Sequence, residues 1–328
     1  MNSVAALSER DRKDLFHEVS EKKGTSEAIA EKDFWACWVL LRLFSHPEIS
    51  EKILFKGGTS LSKVFHLIER FSEDVDLVID WRLLTDQDPR EDRSRKQQKI
   101  LIEDLVLKSD HYVRTTMKNW IEEAVGEFCD TKLSPRERGI VLIKYPCCFE
   151  DTYVRSEVRL EVGPRSEWIP HGEYFVTPYA AEEFPKLFKN PQCRVVAINA
   201  ERTFWEKATI LHKESFRPEG SPVPERYSRH YYDLAMMGQS WVKDKALKNL
   251  ELLDRVVDFN NRFFVSSLAN YDLAKPGTIK LVPPAFVQES LEKDYTLMRD
   301  MIIGEPPGFD TLLGHLEALE REIKGLGG

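Results

Sequence analysis

The stretch KGGTSLSKVFHLIERFSEDVDLVID, residues 56–80, decides the fold of this chain. Just before it, residues 53–55 form a short apolar run that stops at Gly57 and Gly58, which predicts a strand followed by a tight turn. Apolar residues at helical spacing then predict a short helix over residues 60–69 with a polar N-terminus. From position 74 onwards, acidic and apolar residues alternate, which is the period of a second strand. The stretch therefore predicts a strand, a turn, a helix and a strand, in that order.

Asp74 and Asp76 are two residues apart on the predicted strand, so their side chains project from the same face. Two carboxylates held this closely repel each other unless a cation lies between them, and Mg²⁺ prefers oxygen ligands. The alternative is an ordinary strand edge with solvated acids, since two acids at this spacing are common. The preceding turn favours the metal-site interpretation, because its main-chain N–H groups and the beginning of a helix can bind phosphate.

A third acidic residue comes from SEVRLEVGPR, residues 156–165. Apolar residues alternate there with Glu157, Arg159 and Glu161, so the two glutamates share one face of a predicted strand. If this strand lies beside the one that carries Asp74, Glu161 is the candidate for a third metal ligand, and Glu157 is the less favoured one. The alternative is an amphipathic strand without a site.

The rest of the chain combines helices and strands. Helices are predicted at residues 5–22, 26–45, about 97–128 and 200–215, and strands at 140–145, 153–162 and 194–198, the first two of which form a hairpin. A Pro- and Gly-rich loop at 216–225 precedes further helices, which are interrupted at 273–284. The predicted fold class is α/β (α+β), with a mixed central sheet flanked by helices and a helical C-terminal part. We expect a domain of residues 1–198 that includes the N-terminal helices. A mainly helical domain of residues 199–328 is expected to pack against it and contribute to its site.

Cysteine usage, together with the lack of a secretory or membrane-spanning pattern, predicts a cytoplasmic protein. With 328 residues, of which 42% are hydrophobic and 31% charged, the chain can bury a sizeable core. The five cysteines show no zinc-type spacing, which predicts free thiols in a reducing compartment. The longest apolar stretch, residues 34–44, is too short to span a membrane, and the N-terminus lacks the pattern of a secretory signal. Because the net charge is -8, a nucleic-acid substrate would need a local basic patch.

Several ordered motifs resemble a known family. KGGTSLSK followed by RFSEDVDL resembles the AbiEii/AbiGii-type toxin family of nucleotidyltransferases, which belongs to the polymerase-β-like superfamily and is related to the MenT-type toxins. Further resemblance lies in EKDFW (31–35), LEVGPR (160–165), ERTFWEKATILHK (201–213) and RHYYDLAMM (229–237). The resemblance covers residues 30–240, and the remainder of the C-terminal part matches no family motif.

The resemblance implies a site and a mechanism. Asp74, Asp76 and Glu161 would hold Mg²⁺ or Mn²⁺ and, together with Lys207, would catalyse in-line displacement at the α-phosphate of an NTP. Lys207 would neutralise triphosphate charge, the alternative being a solvated helix face. Asp233 would orient Lys207 or position the nucleotide, the alternative being a buried partner of an arginine. The residues implied in nucleotide binding are Gly57, Gly58, Thr59, Ser60, Lys63, Lys207, Arg229 and Asp233.

The resemblance also implies a toxin of a bacterial toxin–antitoxin or phage-defence pair, with a cognate antitoxin. RNA is the first expected acceptor, at the 3′ end of tRNA. Two basic clusters would offer an RNA-binding face: Arg90, Arg93, Arg95, Lys96 and Lys99, and Arg226, Arg229 and His230. The alternative for each cluster is a solvated charged face. Two alternatives stay open. The enzyme would transfer the nucleotide to a protein hydroxyl or a small molecule, or the chain would be a catalytically inert nucleotide-binding module.

Overall fold

The computed structural model describes residues 1–151, 154–266 and 268–327. The chain divides into two units. The first comprises Met1–His66, Phe71–Asp88 and Glu103–Ile198, and the second comprises Leu67–Arg70, Pro89–Ile102 and Asn199–Gly328. No helix in the described ranges is long and apolar enough to cross a membrane.

A seven-stranded mixed sheet forms the centre of the first unit. Its strands are β1 (Ile53–Lys56), β2 (Asp74–Ile79), β3 (Asp130–Leu133), β4 (Ile140–Lys144), β5 (Glu157–Gly163), β6 (His171–Val176) and β7 (Cys193–Ile198). Their order across the sheet is β3-β4-β5-β2-β1-β7-β6. The pairs β2–β5 and β1–β7 are parallel, and the other neighbours are antiparallel. Strands from distant parts of the chain therefore meet in the middle of the sheet.

Helices flank this sheet. They are α1 (Asn2–Ala5), α2 (Glu9–Lys23), α3 (Glu27–Ser45), α4 (Pro47–Ser50), α5 (Gly57–Lys63), α6 (Arg95–Tyr112, of which the residues from Glu103 onwards belong to this unit), α7 (Lys118–Val125) and α8 (Tyr179–Glu183). Most of α3 is buried, including Trp35 and Trp38, because a helix that is apolar on nearly all sides belongs in a core. Ser26 caps α3 by accepting a hydrogen bond from the N–H of Ile29, as the sequence predicts.

The second unit is helical. In its segment Asn199–Gly328 it contains α9 (Ala200–Glu214), α10 (Ser228–Gly238), α11 (Trp241–Leu247), α12 (Leu250–Phe263), α13 (Ala285–Met298) and α14 (Phe309–Gly325). Trp205 of α9 and Tyr231 of α10 are fully buried. On α14, apolar residues recur at helical spacing and are buried, as expected for a helix with one face in the core.

These elements confirm the predicted fold class, a mixed sheet flanked by helices with a helical C-terminal part. Two edge strands, β3 and β6, are not predicted by the sequence. β3 has only four residues, two of them charged, and β6 contains Gly172. Both strands therefore lack the apolar alternation that marks the buried strands of this sheet.

Three element boundaries differ from the prediction. α5 begins at Gly57 and ends at Lys63, and His66 beyond it has a φ of 51°, which a continuing α-helix cannot contain. The helix predicted over residues 97–128 is interrupted by a π-helical turn at Val113–Met117, which separates α6 from α7. The strand predicted over residues 153–162 begins at a residue outside the described ranges, and β5 itself begins at Glu157.

Candidate active site

Three acidic side chains predicted as a site lie on adjacent strands at the middle of the sheet. In the parallel pair of β2 and β5, Asp76 is directly opposite Glu161, and Asp74 is opposite Arg159. All three carboxylates are partly exposed, whereas the alternate residues Val75 and Leu77 are buried, because successive strand residues face opposite sides of the sheet. The strand that carries Glu161 therefore does lie beside the strand that carries Asp74.

The turn at Gly57 is shaped around Asp76. Gly57 has a φ of 81°, a conformation that favours glycine, and a Cβ at this position would overlap the carboxylate of Asp76. The neighbouring hydroxyls serve the main chain. Thr59 Oγ1 donates to the carbonyl of Asp74 at 2.5 Å, and Ser60 Oγ donates to the carbonyl of Gly57 at 2.9 Å. The main-chain N–H groups of this turn, including that of Gly58 on α5, could contact a phosphate, and the contacts predicted for Thr59 and Ser60 stay predictions.

The EKDFW segment of α3 braces the two elements that carry this turn and these acids. Lys32 forms a buried ion pair with Glu73, just before β2, with Nζ and Oε1 3.1 Å apart. Asp33 forms a second buried ion pair with Lys63 at the end of α5, at 2.8 Å, and also accepts a hydrogen bond from the N–H of Tyr179. The proposed contact of Lys63 with a nucleotide stays a prediction, and it would compete with this ion pair.

Arg159 lies among the carboxylates. Its Nε is 3.1 Å from Glu161 Oε1 and 3.6 Å from Asp74 Oδ1, and its two Nη atoms contact the carboxylate of Glu137. Burial raises the pKa of Asp74, the negative charge of Glu161 raises it further, and Arg159 acts in the opposite direction. Glu161 is therefore close enough to disfavour the charged state of Asp74, and the guanidinium of Arg159 partly offsets this effect.

A cavity of about 340 Å³ opens beside the acids. Asp76 and Glu161 line it together with three cationic side chains, Lys56, Arg138 and Arg165. Among the described residues, no three His, Cys, Asp or Glu side chains are gathered tightly enough to hold a metal ion as they stand. The cavity thus combines acidic and basic groups, as a site for a metal-bound phosphate would require.

In the second unit, Lys207 and Asp233 come together. Lys207 of α9 is buried, and its Nζ lies 2.8 Å from Asp233 Oδ2 on α10. Arg70 binds the same carboxylate through two hydrogen bonds of 2.6 and 2.8 Å. Burial alone would raise the pKa of Asp233, but Arg70 and Lys207 outweigh it and hold the pKa well below the ordinary value. Lys207 is thus not on a solvated helix face, and Asp233 is a buried partner of both an arginine and a lysine.

Two further α10 residues add positive or polar groups around Lys207. The Nδ1 atom of His230 lies 3.1 Å from Lys207 Nζ. Burial lowers the pKa of Lys207, and the nearby charges of Arg70 and Arg229 lower it further, against the effect of Asp233. Arg229 therefore belongs to the electrostatic surroundings of Lys207.

Sequence reasoning did not assign a role to Arg159, Glu137 or Arg138. For Arg159 a signal was present, because strand alternation already puts it on the same face as Glu161. For Glu137 and Arg138 the sequence carries no comparable signal, since they belong to the turn between the unpredicted strand β3 and its neighbour β4.

Comparisons with known proteins agree with the motif pattern. The family model described as the nucleotidyl transferase AbiEii toxin of a type IV toxin–antitoxin system matches residues 38–315. Among solved structures, the chain is similar to MenT4, a nucleotidyltransferase toxin from Mycobacterium tuberculosis H37Rv, with 17% identity, 98% of each chain covered and a TM-score of 0.44. It is also similar to JHP933 from Helicobacter pylori, with 13% identity, coverage of 92% of this chain and 94% of that chain, and a TM-score of 0.46. No curated protein sequence matches the chain.

Proposed function

Because the chain belongs to the AbiEii nucleotidyltransferase toxin family, we propose that it transfers a nucleoside monophosphate from an NTP to RNA, at the 3′ end of tRNA. In this proposal it is the toxin of a toxin–antitoxin or phage-defence pair and acts in the cytoplasm, where a cognate antitoxin opposes it. The observation that carries the proposal is the register of β2 and β5. That register puts Asp76 opposite Glu161, two strand positions from the pair formed by Asp74 and Arg159 on the same face.

The acidic side chains fit a hard divalent cation such as Mg²⁺ or Mn²⁺. All their donor atoms are carboxylate oxygens, and a positive group, the guanidinium of Arg159, already lies between Asp74 and Glu161. We assign Asp74, Asp76 and Glu161 as the residues that hold the ions in a two-metal arrangement. Bound there, the ions would neutralise charge on the phosphates and on the attacking and leaving oxygens.

The remaining roles fall to the chain's own polar groups. The main-chain N–H groups at Gly57 and Gly58, with Thr59 and Ser60 shaping the turn, are proposed to bind the β- and γ-phosphates. Lys56, Arg138 and Arg165 line the cavity beside Asp76 and can add positive charge for a triphosphate. These groups would orient the NTP so that an acceptor hydroxyl approaches the α-phosphate opposite the pyrophosphate.

Lys207, Asp233 and Arg229 are proposed to bind the nucleotide as well. Support comes from their proximity, since Asp233 Oδ2 lies 2.8 Å from Lys207 Nζ and the charge of Arg229 acts on Lys207. A lysine is suited to phosphate as a compact point charge. We expect Lys207→Met to raise the KM for NTP, which a purely structural lysine would not do if the fold is kept.

Transfer of radiolabel tests the proposal directly. The protein is incubated with each α-³²P-labelled NTP, total bacterial RNA and cell lysate, with MgCl₂ or with EDTA. Label in RNA of tRNA size, lost with EDTA, is the expected result. Label in a protein band or a small molecule would replace the RNA acceptor by the corresponding alternative, and tight NTP binding without label would indicate an inert nucleotide-binding module.

Two variants link the label to the acids. Asp76→Asn should abolish transfer, because it removes one of the ion-holding carboxylates. Glu157→Gln is the matched control, since Glu157 lies on the same strand and face as Glu161 but does not line the cavity. Full transfer by Asp76→Asn would show that the catalytic centre lies elsewhere.

A further inference from the structure

The guanidinium of Arg159 lies close to two acids of the candidate site, Asp74 and Glu161. It shares a face of β5 with Glu161 and is paired across the sheet with Asp74. Its Nη2 atom lies 3.0 Å from Glu161 Oε1, and the Nε atom lies within ion-pair distance of both acids. The side chain is only 12% exposed, so water screens these contacts weakly. The guanidinium thus already fills the role of a counterion to two of the three acids.

A third carboxylate, that of Glu137, also binds Arg159. Glu137 accepts hydrogen bonds from Nη1 at 2.7 Å and from Nη2 at 2.9 Å, which is the forked geometry of a strong arginine–carboxylate pair. Arg159 therefore also has an ion-pair partner, Glu137, that is not one of the three acids of the candidate site.

The turn that carries Glu137 is itself fastened to α6. Asp110 accepts a hydrogen bond from the N–H of Gly139 at 2.8 Å, and Arg114 donates to the carbonyls of Ser134 and Glu137. Asp110 and Arg114 also bind each other at 2.9 Å. The main chain at Glu137 is therefore held by contacts that do not involve the side chains of Asp74, Asp76 or Glu161.

We propose that Arg159 is a built-in counterion that competes with a divalent cation for Asp74 and Glu161, and that Glu137 retains it when the cation binds. This inference rests on the proposed function. Without the cation, Arg159 offsets the repulsion between the two acids. With the cation, the same positive charge opposes binding, so Arg159 sets how much free cation the protein needs before its site fills. Arg159 is a positioning residue in this account, since it acts through the acids.

Binding of Mn²⁺ to the whole protein without nucleotide tests the inference. Free Mn²⁺ is measured by electron paramagnetic resonance during titration of the wild type and of Arg159→Gln, which removes the charge but keeps a polar side chain of similar length. We expect Arg159→Gln to bind Mn²⁺ roughly tenfold more tightly, because a full positive charge near the ion is gone. Arg159→Lys keeps the charge and should stay within about threefold of the wild type. Equal or weaker binding by Arg159→Gln would overturn the proposal.

Arg194→Gln is the matched control. Arg194 also lies on a strand of the sheet, and it also binds a glutamate, Glu173, on the neighbouring strand, but β1 separates its strand, β7, from β2 and β5. Its replacement should leave Mn²⁺ binding unchanged. Circular dichroism of each variant checks that the fold is kept, and melting with and without Mg²⁺ gives a second readout. Mg²⁺ should raise the Tm of Arg159→Gln more than that of the wild type.

Asp74→Asn separates this inference from the proposed function. One outcome is that the wild type binds Mn²⁺, that Asp74→Asn weakens this binding, and that Arg159→Gln does not tighten it. In that case the counterion role fails while the metal site stands. If neither the wild type nor Arg159→Gln binds Mn²⁺, both the metal-dependent function and the inference fail. Binding gained only in Arg159→Gln would be the strongest form of the expected result.

Discussion

The carboxylate of Asp76 occupies the space that a side chain at Gly57 would need. Gly57 is the first residue of α5, and Asp76 lies opposite Lys56 in the antiparallel pair of β1 and β2. The turn and the acid are therefore in direct contact. The main-chain turn proposed to bind phosphate thus touches a carboxylate proposed to bind a metal ion.

Gly57→Ala should disable the site through this contact. The new methyl group would displace the Asp76 carboxylate, and alanine at a φ of 81° adds a strain of about 1–2 kcal/mol. We expect transfer of label to fall by roughly two orders of magnitude or more, the scale of losing one electrostatic group in an active site.

Gly24→Ala is the control for backbone strain alone. Gly24 has a φ of 64°, but nothing lies within contact distance of a Cβ there. This variant should lose a similar amount of stability in urea unfolding and keep full transfer. If both variants transferred equally well, the contact between Gly57 and Asp76 would have no functional meaning.

Asp74→Asn should remove activity without lowering stability. Burial and the charge of Glu161 raise the pKa of Asp74, so the folded protein disfavours its ionised form, and a neutral amide relieves that cost. Differential scanning calorimetry should give a Tm equal to that of the wild type or slightly higher, while transfer is lost. A clear fall in Tm would mean that Asp74 is chiefly a structural ion-pair partner of Arg159.

Asp233→Asn should be strongly destabilising. It leaves the cations of Arg70 and Lys207 buried without their carboxylate, and breaking a buried ion pair in this way costs about 3–5 kcal/mol. Urea unfolding measures the change in free energy. Glu173→Gln is the comparison, because its ion pair with Arg194 is exposed, and it should leave the urea midpoint nearly unchanged. A small effect of Asp233→Asn would indicate that water reaches this cluster.

His212 should make stability fall in mild acid. The side chain is fully buried, its Nδ1 accepts from the N–H of Lys280 at 3.0 Å, and its Nε2 lies 3.0 Å from the carbonyl of Asn270. These contacts fit only the neutral ring, and burial lowers its pKa. Below pH 6.5 the unfolded state binds a proton that the folded state does not, so stability is lost by about 1.4 kcal/mol per pH unit.

The measurement is the free energy of unfolding between pH 7.5 and pH 5 for the wild type, His212→Asn and His17→Gln (the pH range follows from the ordinary histidine pKa of about 6.5). His212→Asn should be less stable at neutral pH but should show a flatter slope. His17 is exposed and bound to Glu27, so its replacement should leave the downward trend in place. An unchanged slope in His212→Asn would assign the acid sensitivity to another group.

The sequence predicts the elements that carry the acids but not how they are paired. Alternation alone identifies β2 and the shared face of Glu161 and Arg159, because the period of a strand is local. The register that sets Asp76 opposite Glu161 depends on tertiary contacts and cannot be read from either segment alone.

Lys63 illustrates a second limit. A lysine after a glycine-rich turn looks suited to phosphate, but its charge is taken up by Asp33 from a helix far away in sequence. The partner of Arg70 is equally hidden, since Asp233 lies on α10. In the sequence, each residue of such a buried ion pair looks like an ordinary charged surface residue, because its partner is far away along the chain.

The parallel pairing of β2 with β5 has a consequence for biosynthesis. Asp74 and Asp76 leave the ribosome long before Arg159 and Glu161, because α6, α7, β3 and β4 lie between them in the chain. Contacts between such distant segments form late in folding. An incomplete nascent chain therefore carries two of the acids without the third or its counterion. The complete set of acids proposed as the catalytic centre therefore exists only after synthesis has passed β5 and the sheet has closed.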